Sequence, residues 1–234
     1  MAQIELFWFP GTCSRVTLVA LEEIGAPFTT TLVSVDRASD PEFLALNPKG
    51  RVPLLFIDAQ PFTETTAIVT HLARLHPQAR LLPTGEGVEI DALATMSWFA
   101  AGFHPSITRL RYPLRFCDTP GSADRTRALA AAALHGCFEL VERRLRDREW
   151  LYDAWSVVDA YLLWVWFRAA GSGMETSAFP LCAAHAQRCE QRPSVARALD
   201  REESDYSRLL AGGTLAGTLP SNQVGRTSAL TPVA

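Results

Sequence analysis

The chain has 234 residues, of which 48% are hydrophobic and 20% charged, with a formal net charge of −3. A chain of this length buries about 70% of its unfolded surface, as one large domain or two small ones, and its charge balance argues for neither a nucleic-acid nor a membrane partner. Five cysteines, odd in number and irregularly spaced, make neither a disulfide framework nor a zinc pattern. No basic-then-apolar leader precedes the first apolar run, and a reduced, cytoplasmic setting without a metal is expected.

Residues 4–9 form an unbroken apolar run of β-favouring residues and read as a buried strand. Pro10-Gly11 turns the chain. Residues 14–24 then show helical periodicity (Val16, Val19, Ala20, Ile24), with Gly25 as the stop signal. A second strand is predicted at 28–35, a short helix from Asp40-Pro41 to Leu46, and a third strand at 52–57. Residues 58–61 read as a hairpin turn into a fourth strand, and 66–75 as an amphipathic helix ending near His76-Pro77.

Residues 78–88, with Pro83, Gly85 and Gly87, form a linker, and no further strand is expected beyond it. Helices are predicted at 89–103 and on to about residue 116, kinked at Pro105 and interrupted near Pro113. Others cover 123–147, 157–170, 179–191 and 194 to about 210. Ser156 and Asp159 have the spacing of a capping box, a structural role. The domain division is therefore 1–82, 88–210 and a flexible tail over 211–234, small, polar and without periodicity.

The chemistry concentrates at 47–68. Asn47-Pro48-Lys49-Gly50 reads as a turn, and Pro53 heads a strand that otherwise looks central, where a proline removes a ladder donor. It belongs there if the Val52-Pro53 bond is cis, presenting the Val52 backbone to an extended peptide. Glu64-Thr65-Thr66 then opens a helix, whose N–H groups and hydroxyl face a ligand carboxylate while Glu64 receives its ammonium. Together these make a grip for a small zwitterionic peptide. Cys13 precedes the first helix, where the dipole and Arg15 would lower its pKa; a buried, inert cysteine is the other reading. Ser14, or Thr12, could donate to a thiolate or cap the helix. His104, Thr108, Arg111 and Arg115 form a basic flank beside an apolar stripe of Phe103, Ile107, Leu110 and Leu114. Either this flank is solvated surface or it lines a pocket for anionic electrophiles.

Pro10-Gly11-Thr12-Cys13-Ser14, the Asn-Pro-Lys-Gly turn with Val52-Pro53, Glu64-Thr65 and Asp159-Ala160-Tyr161-Leu162, in this order, resemble the cytosolic glutathione transferases, the bacterial beta class in particular. The resemblance covers roughly residues 3–205. It implies an α/β thioredoxin-like N-terminal domain followed by an all-helical one, a homodimer, and glutathione as co-substrate without a metal, in thiol transfer, in conjugation of glutathione to a small electrophile, or in both. Cys13 stands where that class forms a mixed disulfide with glutathione. His104 stands where a histidine enters the site from the helical domain. Val52, Pro53, Glu64 and Thr65 would bind the tripeptide, with Lys49, Arg37 and Arg51 as further carboxylate contacts. Ala101 stands where the resemblance would place a Ser or Thr that the partner subunit contributes to glutathione, whereas Ser97 keeps a polar residue for glutathione contact. Reductive dehalogenation, isomerisation of the zeta type, or binding without catalysis are rival readings of the same fold.

Overall fold

In the computed structural model, which describes residues 2–33, 37–211 and 224–227, the leading apolar run becomes an inner strand of a four-stranded sheet. β1 (Ile4–Trp8) pairs in parallel with β2 (Thr29–Leu32) and antiparallel with β3 (Leu54–Ile57), which pairs antiparallel with β4 (Gln60–Thr63). The order is β2-β1-β3-β4. A parallel pair needs a crossover, and α1 (Ser14–Ile24) supplies it, ending at Gly25 with a left-handed φ of 70°. The β3–β4 hairpin needs only the two-residue turn Asp58-Ala59, both at positive φ. Pro61 is tolerated because β4 is an edge strand.

α2 (Pro41–Leu46) and α3 (Thr65–Leu75) complete the expected strand-helix-strand, strand-strand-helix arrangement. α1 is buried from Ser14 to Leu21 because both α3 and α9 (Pro193–Ala211) pack on it. By packing, the chain divides into Met1–Leu82 with Arg192–Gly225, and Pro83–Gln191 with Arg226–Ala234. In that division α9 belongs with the sheet and not with the helices that precede it. Charge explains part of its attachment: Glu22 and Glu23 lie at the negative end of the α1 dipole, and Arg192, Arg197 and Arg201 pair with them at 2.5, 2.8 and 3.3 Å.

The second unit holds α4 (Val88–Trp98), α5 (His104–Arg111), α6 (Ser122–Arg144), α7 (Val157–Ala170) and α8 (Pro180–Glu190), and no strand among its described residues. α7 is apolar on every side and is buried from Val157 to Ala169. The kink expected at Pro105 takes the form of a π-helical turn, Phe99–Phe103, which absorbs the N–H that proline lacks. Gly102 sits in that turn because a Cβ there would lie 2.9 Å from the Trp98 ring. Leu114 departs from the expected apolar stripe and is 63% exposed, since α5 stops at Arg111 and Pro113–Arg115 form a 3-10 turn.

The capping box forms, and Asp159 does more than cap. Fully buried, it accepts Ser156 N–H at 2.9 Å on one oxygen and Leu151 N–H at 2.8 Å and His185 Nε2 at 2.9 Å on the other. Most of the 211–234 segment read as a flexible tail lies outside the described residues. Of the four that are described, Val224 and Gly225 are buried.

Candidate functional site

β1 delivers the chain to Pro10-Gly11, where Gly11 takes a φ of 74° to turn it into α1. Cys13 is the N-cap residue of α1, partly exposed, and its thiol donates to Val52 O at 3.6 Å. The adjacent hydroxyls face inward. Phe9 N–H donates to Ser14 Oγ and Ser14 Oγ to Phe9 O, both at 3.3 Å; Thr12 Oγ1 donates to Phe9 O at 2.7 Å; and the two hydroxyls are 2.5 Å apart. Ser14 is fully buried and is the first helical residue, not the cap. Its hydroxyl ties the start of α1 to the end of β1.

Arg15, read from the sequence as positive charge near Cys13, is engaged elsewhere in the fold. Its side chain is 1% exposed, its Nε donates to Glu202 Oε2 at 2.9 Å, and its Nη2 donates to Glu202 Oε1 and to Gly225 O. A guanidinium committed to a buried carboxylate leaves little net field for a neighbouring thiol.

The Asn47–Gly50 turn is held by its own side chain. Asn47, buried, donates from Nδ2 to Arg51 O at 2.7 Å and accepts Lys49 N–H on Oδ1 at 3.2 Å. Gly50 takes a φ of 57°, and a Cβ there would lie 2.8 Å from Ala38 O. The Val52-Pro53 bond is cis, as the placement of Pro53 suggested. Val52 O receives the Cys13 thiol, and the Val52 N–H has no protein partner among the described residues. The register Leu54↔Thr63 then brings Pro53 and Glu64 alongside each other at one end of the hairpin.

Glu64, the N-cap of α3, adopts φ 69° and ψ 117°, a conformation that costs a non-glycine residue about 1–3 kcal/mol. Its side chain is 68% exposed and accepts from Lys49 Nζ at 2.6 Å; Lys49 also donates to Thr63 Oγ1 at 3.0 Å. Two residues expected at opposite ends of one ligand thus hold each other. Thr65, the first residue of α3, is buried, and the N–H groups of that first turn have no intrahelical acceptor.

The remaining candidates are dispersed. Arg51 is exposed and only approaches Gly50 O, at 3.5 Å. The Arg37 side chain lies outside the described residues. His104 and Ser97 belong to the second unit: His104 opens α5 with its ring edge-on to Trp164 at 4.8 Å, and Ser97 is exposed on α4. In the basic flank Arg111 donates to Tyr112 OH at 2.7 Å, and both Arg111 and Arg115 lie over the Tyr112 ring. Sequence reasoning overlooked the Asn47 clasp and the Lys49–Glu64 pair. An Asn-Pro turn signalled the first, and nothing local signals the second.

The cysteines differ in environment. Hydrogen bonds from Ser122 and Thr119 hold the Cys117 thiol below its ordinary pKa, whereas burial raises Cys137 and, together with Glu142, raises Cys182 much further. Among the described residues no group of His, Cys, Asp and Glu could hold a metal ion, and no helix is long and apolar enough to cross a membrane.

Residues 11–75, which carry this constellation, match the family model for the glutathione S-transferase N-terminal domain. The chain is 31% identical to the glutathione S-transferase GstA of Escherichia coli O157:H7 over 207 residues, 85% of this chain and 98% of that protein. A beta-class glutathione S-transferase from Sphingomonas chungbukensis is 33% identical with a TM-score of 0.74, and a sphingomonad glutathione S-transferase complexed with glutathione is 31% identical with a TM-score of 0.75. Each is covered over 98% of its length by 85% of this chain. With the thioredoxin-like sheet, the cis Val52-Pro53 bond and a near end-to-end match at this identity, the chain belongs to the glutathione S-transferase family.

Proposed function

We propose that the first unit binds glutathione and that Cys13 carries thiol transfer through a mixed disulfide with it. The observation that carries this reading is the Cys13 thiol resting on Val52 O, beside a cis Val52-Pro53 and one register step from Glu64. The Val52 backbone pairs with the extended tripeptide, the first turn of α3 and Thr65 take a carboxylate, and Glu64 exchanges Lys49 for the ligand ammonium. Lys49, once released, and Arg51 and Arg37 supply positive charge for the remaining carboxylate.

In the reaction the Cys13 thiolate attacks the glutathione sulfur of a mixed disulfide, that S–S bond breaks, and the departing thiolate takes up a proton. A second glutathione thiolate attacks the Cys13 adduct, regenerating Cys13 and releasing glutathione disulfide. Ser14 is the weaker candidate for work on sulfur, because its hydroxyl is already engaged with Phe9. By family resemblance we assign His104 to catalysis and Ser97 to glutathione contact, the chain acts as a homodimer, and the substrate is a small electrophile, with anionic ones favoured by the basic flank of Arg111. The protein works in the cytoplasm.

Titration calorimetry with reduced glutathione tests the grip. The unaltered chain should bind, Glu64→Ala should bind about tenfold more weakly, and Arg51→Ala should lose less than about threefold. Binding that survives Glu64→Ala and collapses in Arg51→Ala would reverse the assignment.

A further inference from the structure

Val224 and Gly225 lie beyond the stretch that the family resemblance covers, which ends near residue 205, and the relatives are matched almost end to end by 85% of this chain. Both residues are nonetheless buried within the first unit. Gly225 N–H donates to Glu202 Oε1 at 3.2 Å, and Gly225 O accepts from Arg15 Nη2 at 3.1 Å. The backbone of this one residue therefore serves both members of the buried Arg15–Glu202 pair, adding hydrogen bonds that such a pair needs once water is gone. Glycine suits the position because φ is 89°, in the left-handed region; an added Cβ would meet only the movable end of the Glu203 side chain.

Val224 forms an apolar cluster with Phe9 and Tyr206, and Val52 packs against it. Phe9 is the residue whose backbone holds Thr12 and Ser14, and Val52 is the residue whose carbonyl receives the Cys13 thiol. Arg15 follows Cys13 by two positions. One short segment near the C-terminus thus bonds Arg15 at the start of α1 and joins the cluster that holds Phe9 at the end of β1, against which Val52 packs.

We infer that Val224-Gly225 is a built-in strap that positions the start of α1 and the Val52 backbone, and so sets both the accessibility of Cys13 and the affinity for glutathione. The affinity half rests on the glutathione reading above; the accessibility half does not. Neither residue touches ligand in this account. They act through Phe9, Val52 and Arg15.

The test compares Val224→Ala, Val224→Asp and Val224→Ile in the full chain, each checked for native circular dichroism. Two quantities are read: the glutathione dissociation constant by calorimetry, and the ratio of Cys13 to Cys117 alkylation by iodoacetamide, by peptide mass mapping. Val224→Ala should raise the dissociation constant about three- to tenfold and move the alkylation ratio at least about threefold, through lost preorganisation. Val224→Asp should do both more strongly, and Val224→Ile should stay within about twofold of the parent. An unchanged dissociation constant and ratio in Val224→Ala and Val224→Asp would overturn the inference. If no chain binds glutathione, the parent included, the ligand reading fails. The alkylation ratio then decides the strap alone: a shift upholds it and no shift overturns it. If Val224→Asp does not fold, Val224→Ala decides.

Discussion

The two helix starts in the sheet-containing unit solve opposite problems. At the start of α1 the polar groups are committed: Thr12 and Ser14 to Phe9, Arg15 to Glu202 and Gly225. Ser14 and Arg15 are both essentially buried. At the start of α3 the polar group is exchangeable: Glu64 is exposed, sits at a disfavoured φ and ψ, and holds Lys49 through an ion pair open to solvent. A reacting sulfur needs a fixed frame, and a ligand ammonium needs a partner that can let go. In the proposed function this difference would separate the part of the site that positions chemistry from the part that captures substrate.

Substitutions at the two helix starts should differ in their effects. The largest effect is expected from Arg15→Ala, which leaves the Glu202 carboxylate buried without its partner and should destabilise the fold by about 3–5 kcal/mol. Lys49→Ala, at the exposed pair, should change stability by about 1 kcal/mol or less. Urea denaturation of both variants checks the contrast, and similar losses would mean that the two helix starts are not built differently.

A medium effect is expected at the glycines that shape the turns. Gly50→Ala meets both a left-handed φ and the Ala38 carbonyl at 2.8 Å, so it should cost about 2–3 kcal/mol. Gly25→Ala has a similar φ but no atom within 4 Å of the added carbon, and should cost about 1 kcal/mol. Thermal unfolding ranks the two. Gly50→Ala should also weaken glutathione binding, which Gly25→Ala should not.

The smallest effect concerns another solvent-exposed pair, in the second unit. Arg144, with Tyr152, holds the Asp91 carboxyl below the ordinary carboxylate pKa. A lowered folded-state pKa contributes stability above the ordinary carboxylate value and loses it as pH falls through the folded value. Because the Asp91 side chain is 54% exposed, Asp91→Asn should cost less than about 1 kcal/mol at neutral pH, with the deficit vanishing in acid. Denaturation midpoints at neutral and acid pH measure it, and a deficit that grows on acidification would contradict the assignment.

The sheet unit was legible in the sequence because its signals are local. The apolar run at 4–9, the periodicity of 14–24 closed by Gly25, and Pro53 at a strand head each name their element without outside help. The capping box of Ser156 and Asp159 was legible for the same reason. What stayed hidden depends on distant partners. Nothing near Arg15 announces Glu202, 187 residues away, so its charge looked available to Cys13. His185, 26 residues from Asp159, is equally silent. Leu114 continued the apolar stripe on paper, but the helix ends before reaching it, after Arg111. The burial of Val224 and Gly225 had no signal at all, since a polar, aperiodic stretch gives no sign of what it packs against.

Peptide mass mapping after brief exposure to oxidised glutathione near neutral pH shows whether Cys13 is the thiol that glutathione modifies. Cys117 is the demanding competitor, because hydrogen bonds from Ser122 and Thr119 already hold its thiol below the ordinary range. Cys137 and Cys182 are pushed the other way by burial. With the tripeptide held as proposed, the glutathione adduct appears first on the Cys13 peptide. An adduct confined to the Cys117 peptide, with Cys13 unmodified, would contradict it.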